Sequence, residues 1–176
     1  KAHATAYVIM ALRIGWFKVH RPIYYYAAYF SCRASAFDVE VLASGKNAIR
    51  NRINEINEKI STKTASTKEV DLIDELQIAL EMHLRGYSIK QVNIEKSEAT
   101  DFVISEDKRS LYLPFSAVDA LGIAAAESVV EARNEHPFTS KKDVEKRTKL
   151  NKTTFNKLLR LGVLDSLDDE DMNSLL

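Results

Sequence analysis

The distribution of apolar residues predicts four helices in the first half of the chain. Residues 4–19 are apolar on nearly every side, and a second apolar helix starts at Pro22. Isoleucines form one stripe along residues 46–61, opposite a polar face. A capping-box pattern at Ser66 starts a fourth helix, which Gly86 ends. The residues expected on the buried side of this fourth helix are Val70, Ile73, Leu76 or Gln77, Leu80 and Leu84. Since residues 4–19 have no polar face, we expect their helix to be buried on several sides.

The pattern changes after Gly86. Three short apolar runs separated by polar turns predict three short strands between residues 87 and 114. The next stretch, residues 115–133, predicts a short helix, a tight turn at residues 120–122 and a second helix. This is the shape of a helix-hairpin-helix element.

The same pattern recurs further along the chain. Ser140 is expected to cap a helix, Lys149 to Asn151 to form a second tight turn, and Gly162 to close the last helix. Asn151 stands where the first turn has Gly122, and asparagine tolerates the positive φ that such a turn can need. The predicted fold is therefore mainly α with a small β-sheet, and it contains two helix-hairpin-helix elements in tandem.

Hairpins of this kind can bind phosphate. The first amide groups of a helix have no intrahelical acceptor and lie at the positive end of its dipole, so a phosphate oxygen can bind there without base contacts. The residues predicted to contact a DNA duplex are Leu121, Gly122, Ile123 and Ala124 in the first hairpin and Lys149, Asn151, Lys152 and Thr153 in the second. An ordinary helical corner packed by apolar side chains is the alternative, because short motifs often match by chance.

Charge is unevenly distributed along the chain, although the net charge is zero. Between Thr139 and Arg160, eight basic residues face two acidic ones, an excess of 8 − 2 = +6. From Asp165 onwards, by contrast, all charged residues are acidic. The basic stretch directly follows the first hairpin, as expected for a surface that binds phosphates, and it favours duplex binding over a helical corner.

Composition excludes several other classes. Cys32 is the single cysteine, so no internal disulfide can form, and we expect it to be a small buried residue in a protein of the reducing cytoplasm. The apolar-rich stretch near residues 4–12 is shorter than the roughly 18 residues of a membrane span, so no membrane partner is predicted. The chain opens at Lys1 without a methionine, and we expect it to be a piece of a longer protein.

Several stretches resemble bacterial family C DNA polymerases, the replicative DNA polymerase III alpha subunits, most closely the PolC type of low-GC Gram-positive bacteria. The run Lys1-Ala-His3-Ala-Thr-Ala-Tyr7 followed by His20-Arg-Pro22 resembles the end of the fingers region. Further stretches agree in order: Arg85-Gly-Tyr87, Ile94 to Ser97, Val118 to Gly122 with Val130 to Arg133, and Leu161 to Leu164. The resemblance covers essentially the whole chain.

The resemblance implies the C-terminal end of a much longer DNA-directed DNA polymerase. Residues 1–85 would be the last part of the fingers, 86–114 a small β connector, 115–165 a tandem helix-hairpin-helix domain, and 166–176 an acidic tail. In this family the carboxylates that hold Mg²⁺ belong to an upstream palm domain, so we expect no cofactor and no catalytic residue in this chain, and no activity of the chain alone.

The resemblance also implies partners and contacts. Lys1, His3 and Tyr7 would lie near the incoming deoxynucleoside triphosphate, while the hairpins bind the primer–template duplex. For Tyr7, core packing is an equal alternative. Family members often carry glycine where this chain has Ala120, which fits there if its φ stays negative.

The tail carries a weaker resemblance to a sliding-clamp-binding peptide of the form Gln-Leu-Ser-Leu-Phe. Leu175 and Leu176 would be its clamp contacts, although the glutamine and the aromatic residue of that peptide are replaced. A frayed acidic terminus is the alternative.

Two other functions remain open. A non-enzymatic helix-hairpin-helix module of a repair or recombination factor would share the hairpins without needing the Lys1 to Tyr7 motif. A helical protein-interaction domain would bind no nucleic acid.

Overall fold

The computed structural model describes residues 2–33 and 37–170, and there it confirms a mainly α fold with a small sheet. The α-helices are α1 (Ala2–His20), α2 (Pro22–Cys32), α3 (Val39–Ala43), α4 (Lys46–Ser61), α5 (Thr67–Leu84), α6 (Ile123–Glu135), α7 (Lys141–Arg147) and α8 (Lys152–Arg160). The strands are β1 (Ser88–Lys90), β2 (Val103–Ile104) and β3 (Ser110–Tyr112), and Phe115–Ala117 forms a 3₁₀ helix.

The predicted helix boundaries in the first half follow from local signals. Pro22 occupies the first turn of α2. The Ser66 side chain accepts from the Glu69 amide, and Glu69 in return accepts from the Ser66 amide, so the capping box is present. Sequence patterning missed α3, which is only five residues long and is capped by Asp38. Cys32, predicted to be buried, is exposed.

The three strands form one sheet in the order β1-β3-β2. β3 pairs with β1 in parallel and with β2 in antiparallel orientation, and the three predicted strands are present within residues 87–114. Leu111 of β3 is completely buried, as are Tyr26 of α2 and Leu76 of α5. The sheet and the helices therefore share one apolar core.

The predicted buried side of α5 is partly wrong. Leu76 is buried as expected, but Val70 and Leu84 are exposed, with 47% and 62% of their surface accessible. Leu72, Ala79 and Met82 are buried, together with Glu75. Because α5 carries apolar residues on more than one face, its sequence did not select the face that packs against α4 and β1.

The prediction that α1 is buried on several sides is also wrong for the described residues. Leu12 and Val19 are 69% and 64% exposed, and Trp16 is 52% exposed. α1 packs against α2, and its last turn is bonded to α5, where Lys18 Nζ lies 2.7 Å from the Glu81 carboxylate. Apolar content favours burial, but burial requires a neighbouring surface.

In the part of the chain that the structure describes, no helix has the length and hydropathy needed to cross a membrane.

Glu69 joins α4 to the start of α5 and makes stability depend on pH. Its carboxylate accepts hydrogen bonds from Lys59 Nζ at 2.7 Å and from the Ser66 amide at 3.0 Å, and these bonds lower the pKa of Glu69 from 4.5 to about 2. A lowered pKa in the folded state contributes stability above pH 4.5 that is lost as pH falls towards about 2. We expect the free energy of unfolding to fall in this window and Glu69→Gln to flatten the fall.

Urea unfolding at a series of pH values measures this effect. Glu106→Gln is the matched control, because the Glu106 carboxylate is exposed and pairs with Lys96 at the surface. The control should retain the wild-type pH dependence. Parallel curves for Glu69→Gln and wild type would show that Glu69 makes no such contribution.

Candidate nucleic-acid interface

The short helix predicted at the start of the first hairpin is a 3₁₀ helix. The amides of Phe115 and Ser116 donate to the carbonyl oxygens of Glu98 and Ala99, at 3.0 and 2.9 Å. Phe115 and Val118 are buried. These contacts tie the start of the hairpin to the loop before β2.

The first turn is strained at Ala120. Its φ is +66°, so the negative φ at which alanine would fit this turn without strain is not adopted. An alanine in this left-handed conformation costs about 1–2 kcal/mol, a penalty that glycine avoids. Gly122 has φ −68° and precedes the first residue of α6. The residue that needs glycine-like freedom is thus Ala120 and not Gly122.

The predicted phosphate-binding amides of the first hairpin differ in availability. The Leu121 amide donates to the Val118 carbonyl oxygen at 3.0 Å, and the Leu121 side chain is buried, so this amide is engaged. Gly122, Ile123 and Ala124 are exposed, and no side chain caps the first turn of α6. The start of α6 therefore presents amides that a phosphate could accept from.

The second hairpin has the predicted layout. Ser140 caps α7 by accepting from the Asp143 amide, and Gly162 follows α8 with φ +71°. Asn151 occupies the same position before α8 as Gly122 before α6, as predicted. The predicted reason for asparagine is wrong, because its φ is −80° and its side chain instead accepts from the Thr154 amide at 2.9 Å.

The start of α8 is exposed to solvent. Lys149, Lys152 and Thr153 are exposed on either side of the capping residue. The first amides of a helix have no acceptor within the helix. In α8 the Asn151 side chain accepts from the Thr154 amide, so the amides of Lys152 and Thr153 remain without such an acceptor. Lys152 and Thr153 are among the residues that the sequence predicted to contact a duplex.

Only some of the basic residues in the second hairpin are free of carboxylates. Four are paired: Lys141 with Asp169, Lys142 with Glu170, Arg147 with Asp143 and Lys157 with Asp119, at 2.6–2.8 Å. Within residues 2–33 and 37–170, the other four make no ion pair: Lys146, Lys149, Lys152 and Arg160. The excess of +6 thus overstates the positive charge that is available to phosphates. Of the four basic residues without an ion pair in the described ranges, Lys149 and Lys152 lie at the second turn.

Contacts between the hairpins were not foreseen from the sequence. The Lys149 amide donates to Ser128 Oγ of α6 at 2.9 Å, and Lys157 of α8 reaches Asp119 in the first turn. Arg133 of α6 donates to the Ser97 carbonyl oxygen at 2.6 Å and so ties the first hairpin to the loop between β1 and β2. These pairs are far apart in the chain and follow no local spacing, so no sequence signal marks them.

A cleft of about 750 Å³ lies between the first turn and the helices α3 and α5. Its charged side chains are Asp38, Glu40, Glu69, Asp71 and Asp119, against Arg52, Lys68 and Lys157. The excess of carboxylates repels phosphate, so we do not place nucleic acid in this cleft.

Two of the three residues predicted near a nucleotide, His3 and Tyr7, lie on α1. His3 and Tyr7 are exposed, and their rings contact edge to face with centroids 4.5 Å apart. Core packing of Tyr7 is not observed, since 64% of its surface is accessible. Lys1 and the predicted clamp contacts Leu175 and Leu176 lie outside the described residues.

Comparisons with known proteins agree with the resemblance predicted from the sequence motifs. Over 175 residues, 99% of the chain, the sequence is 50% identical to the DNA polymerase III PolC-type of Latilactobacillus sakei. It is 48% identical over the same length to that of Oceanobacillus iheyensis and 47% identical to that of Bacillus subtilis. The chain spans about 12% of the length of these relatives. Residues 86–173, half of the chain, match the family model of the helix-hairpin-helix motif. The chain therefore belongs to the helix-hairpin-helix family, and it is similar to part of the PolC-type DNA polymerases III.

Proposed function

We propose that this chain holds the primer–template duplex by its backbone as part of a PolC-type replicative DNA polymerase. The observation that carries the proposal is the second turn. There, two lysines without ion pairs in the described residues, Lys149 and Lys152, flank a helix start with unused amides. The charge attracts phosphates, and the amides fix their position.

Such contacts give binding without sequence preference. Amides and lysine side chains recognise phosphate oxygens, which are the same for every base pair. The first hairpin would add a second, uncharged contact through Gly122, Ile123 and Ala124 at the start of α6. Two contacts on one duplex suit a polymerase, which must move along any template.

The longer polymerase would supply the chemistry. We propose that it catalyses DNA-templated nucleotidyl transfer in the bacterial cytoplasm, with Mg²⁺ held by carboxylates outside this chain, so that the chain alone is inactive. Lys1, His3 and Tyr7 would lie near the deoxynucleoside triphosphate, and Leu175 and Leu176 would be weak contacts to a sliding clamp.

The exposed apolar surface of α1 supports a role within a longer chain. Nine of its large apolar side chains are at least 45% exposed, and large exposed apolar patches mark surfaces that contact another surface. We propose that the remainder of the polymerase covers this surface, because the chain spans only about 12% of its relatives.

Duplex binding can be measured by fluorescence anisotropy with two duplexes of unrelated sequence at increasing salt. We expect similar affinities for both, and a log affinity that falls linearly with log salt at a slope of about −2 to −4, for two to four neutralised phosphates. Circular dichroism establishes that the chain is folded in each buffer. A folded chain without salt-dependent duplex binding would overturn the proposal.

A further inference from the structure

A lysine of the second hairpin is hydrogen-bonded to the strained turn of the first. Lys157 Nζ donates to the Asp119 carbonyl oxygen at 3.0 Å and to the Asp119 carboxylate at 2.8 Å. The Asp119 carbonyl oxygen belongs to the peptide group that leads into Ala120, whose φ is +66°. Lys157 therefore bonds directly to the backbone unit whose orientation decides the conformation of Ala120.

That conformation decides where the start of α6 points. Ala120 and Leu121 connect Asp119 to Gly122, the residue before α6. If Ala120 relaxed to the negative φ that alanine prefers, the chain direction would change just before Gly122, Ile123 and Ala124. The amides proposed to bind phosphate would then move.

The Lys157 side chain is poorly placed to bind phosphate itself. It is only 24% exposed, and its charge is already paired with the Asp119 carboxylate, whose pKa the Lys157 hydrogen bond lowers. Lys152 on the same helix is exposed and makes no ion pair among the described residues. The two lysines of α8 thus differ in role.

We propose that Lys157 is a positioning residue that holds the first hairpin turn in its phosphate-binding form and so couples the second hairpin to the first. This inference rests on the proposed binding of duplex DNA. It assigns to Lys157 a function that its charge alone would not suggest, because the lysine acts through the Asp119–Ala120 peptide group.

The test compares Lys157→Met, Ala120→Gly and the double variant in the salt-dependent duplex titration. Lys157→Met should weaken binding about 5- to 30-fold, because a released turn can relax away from the positive φ of Ala120 and so gain the roughly 1–2 kcal/mol that this conformation costs. The slope of log affinity against log salt should stay at the wild-type value, since no phosphate-contacting charge is lost. Adding Ala120→Gly should restore most of the affinity, because glycine adopts a positive φ without penalty.

Lys152→Met is the contrasting variant. It should weaken binding and reduce the magnitude of the salt slope by about 0.9, without rescue by Ala120→Gly. If Lys157→Met behaved in this way, Lys157 would be a direct phosphate contact and the inference would be wrong. Unchanged affinity in Lys157→Met would overturn it equally.

A second measurement does not depend on DNA. In NMR spectra of the free chain, Lys157→Met should shift the amide signals of residues 120–124 and change the coupling constant that reports φ of Ala120. Unchanged signals would overturn the inference even if the duplex titration failed altogether. Conversely, a wild type that does not bind DNA but shows these shifts would contradict the proposed function and support the positioning role.

Discussion

Replacing Lys149 and Lys152 together by glutamine is expected to weaken duplex binding about 10- to 100-fold at roughly 0.1 M salt. The two side chains are exposed at the second turn and make no ion pair in the described part of the chain. Each lysine that contacts a phosphate contributes about 0.9 to the salt slope, so the slope should become less steep by about 1.8. Anisotropy titrations at several salt concentrations measure both effects.

The matched control is the pair Lys141→Gln and Lys142→Gln. It removes the same charge from the same hairpin, but Lys141 and Lys142 are already paired with Asp169 and Glu170 at 2.8 and 2.6 Å. We therefore expect a much smaller change in affinity and slope. Equal effects of the two double variants would mean that net charge alone governs binding and that the second turn has no special role.

Arg147→Met is expected to lower the free energy of unfolding by about 2–4 kcal/mol, although Arg147 lies in the basic stretch predicted to bind DNA. The guanidinium donates to the carbonyl oxygens of Ala132 and His136 at the end of α6, and to Asp143 at 2.8 Å. It also lies over the Phe138 ring, 4.9 Å from the centroid. Only 14% of the side chain is exposed, so its replacement removes all of these contacts from a largely buried position.

Urea unfolding of Arg160→Met provides the comparison. Arg160 is exposed and makes no ion pair within the described ranges, so its replacement should change stability by no more than about 0.5 kcal/mol. The salt slope of Arg147→Met, measured where the variant is folded, should equal that of wild type. A stable Arg147→Met with a reduced slope would instead identify Arg147 as a phosphate contact.

The two expected results distinguish basic residues with different roles, although these residues look equivalent in the sequence. In the stretch between Thr139 and Arg160, all eight bases contribute equally to a charge count. In the fold, Arg147 joins two helices, Lys157 holds a turn, and Lys149 and Lys152 remain available at the surface. The charge count indicated that the hairpin is basic, but it did not indicate which basic side chains are available to bind a phosphate.

Local interactions made much of the fold predictable. The capping box at Ser66, the cap at Ser140 and the positive-φ glycines Gly86 and Gly162 depend on residues within a few positions of one another, and all four are observed. The isoleucine stripe of α4 was also recognised correctly for Ile49, Ile53 and Ile56, because only one face of that helix is apolar. Ile60, at the end of the stripe, is 40% exposed.

Long-range contacts made the remaining features unpredictable. Ala120 has a positive φ next to Asp119, and Asp119 is bonded to Lys157, 38 positions away in the chain. The availability of Lys141 and Lys142 depends on carboxylates 28 positions along the chain. Both separations are longer than any single helix or strand of the chain, so the periodicity of one element could not reveal either contact.

The sequence by itself determined the mainly α class, the order of the elements, most helix ends and the two hairpins, because these depend on propensities and caps within a few residues. Only the tertiary structure decided which face of α5 is buried, that most of α1 is left uncovered by the described residues, and which lysines are paired with carboxylates. The physical reason is that burial and ion pairing are properties of two surfaces that meet, and the partner surface comes from a distant part of the chain.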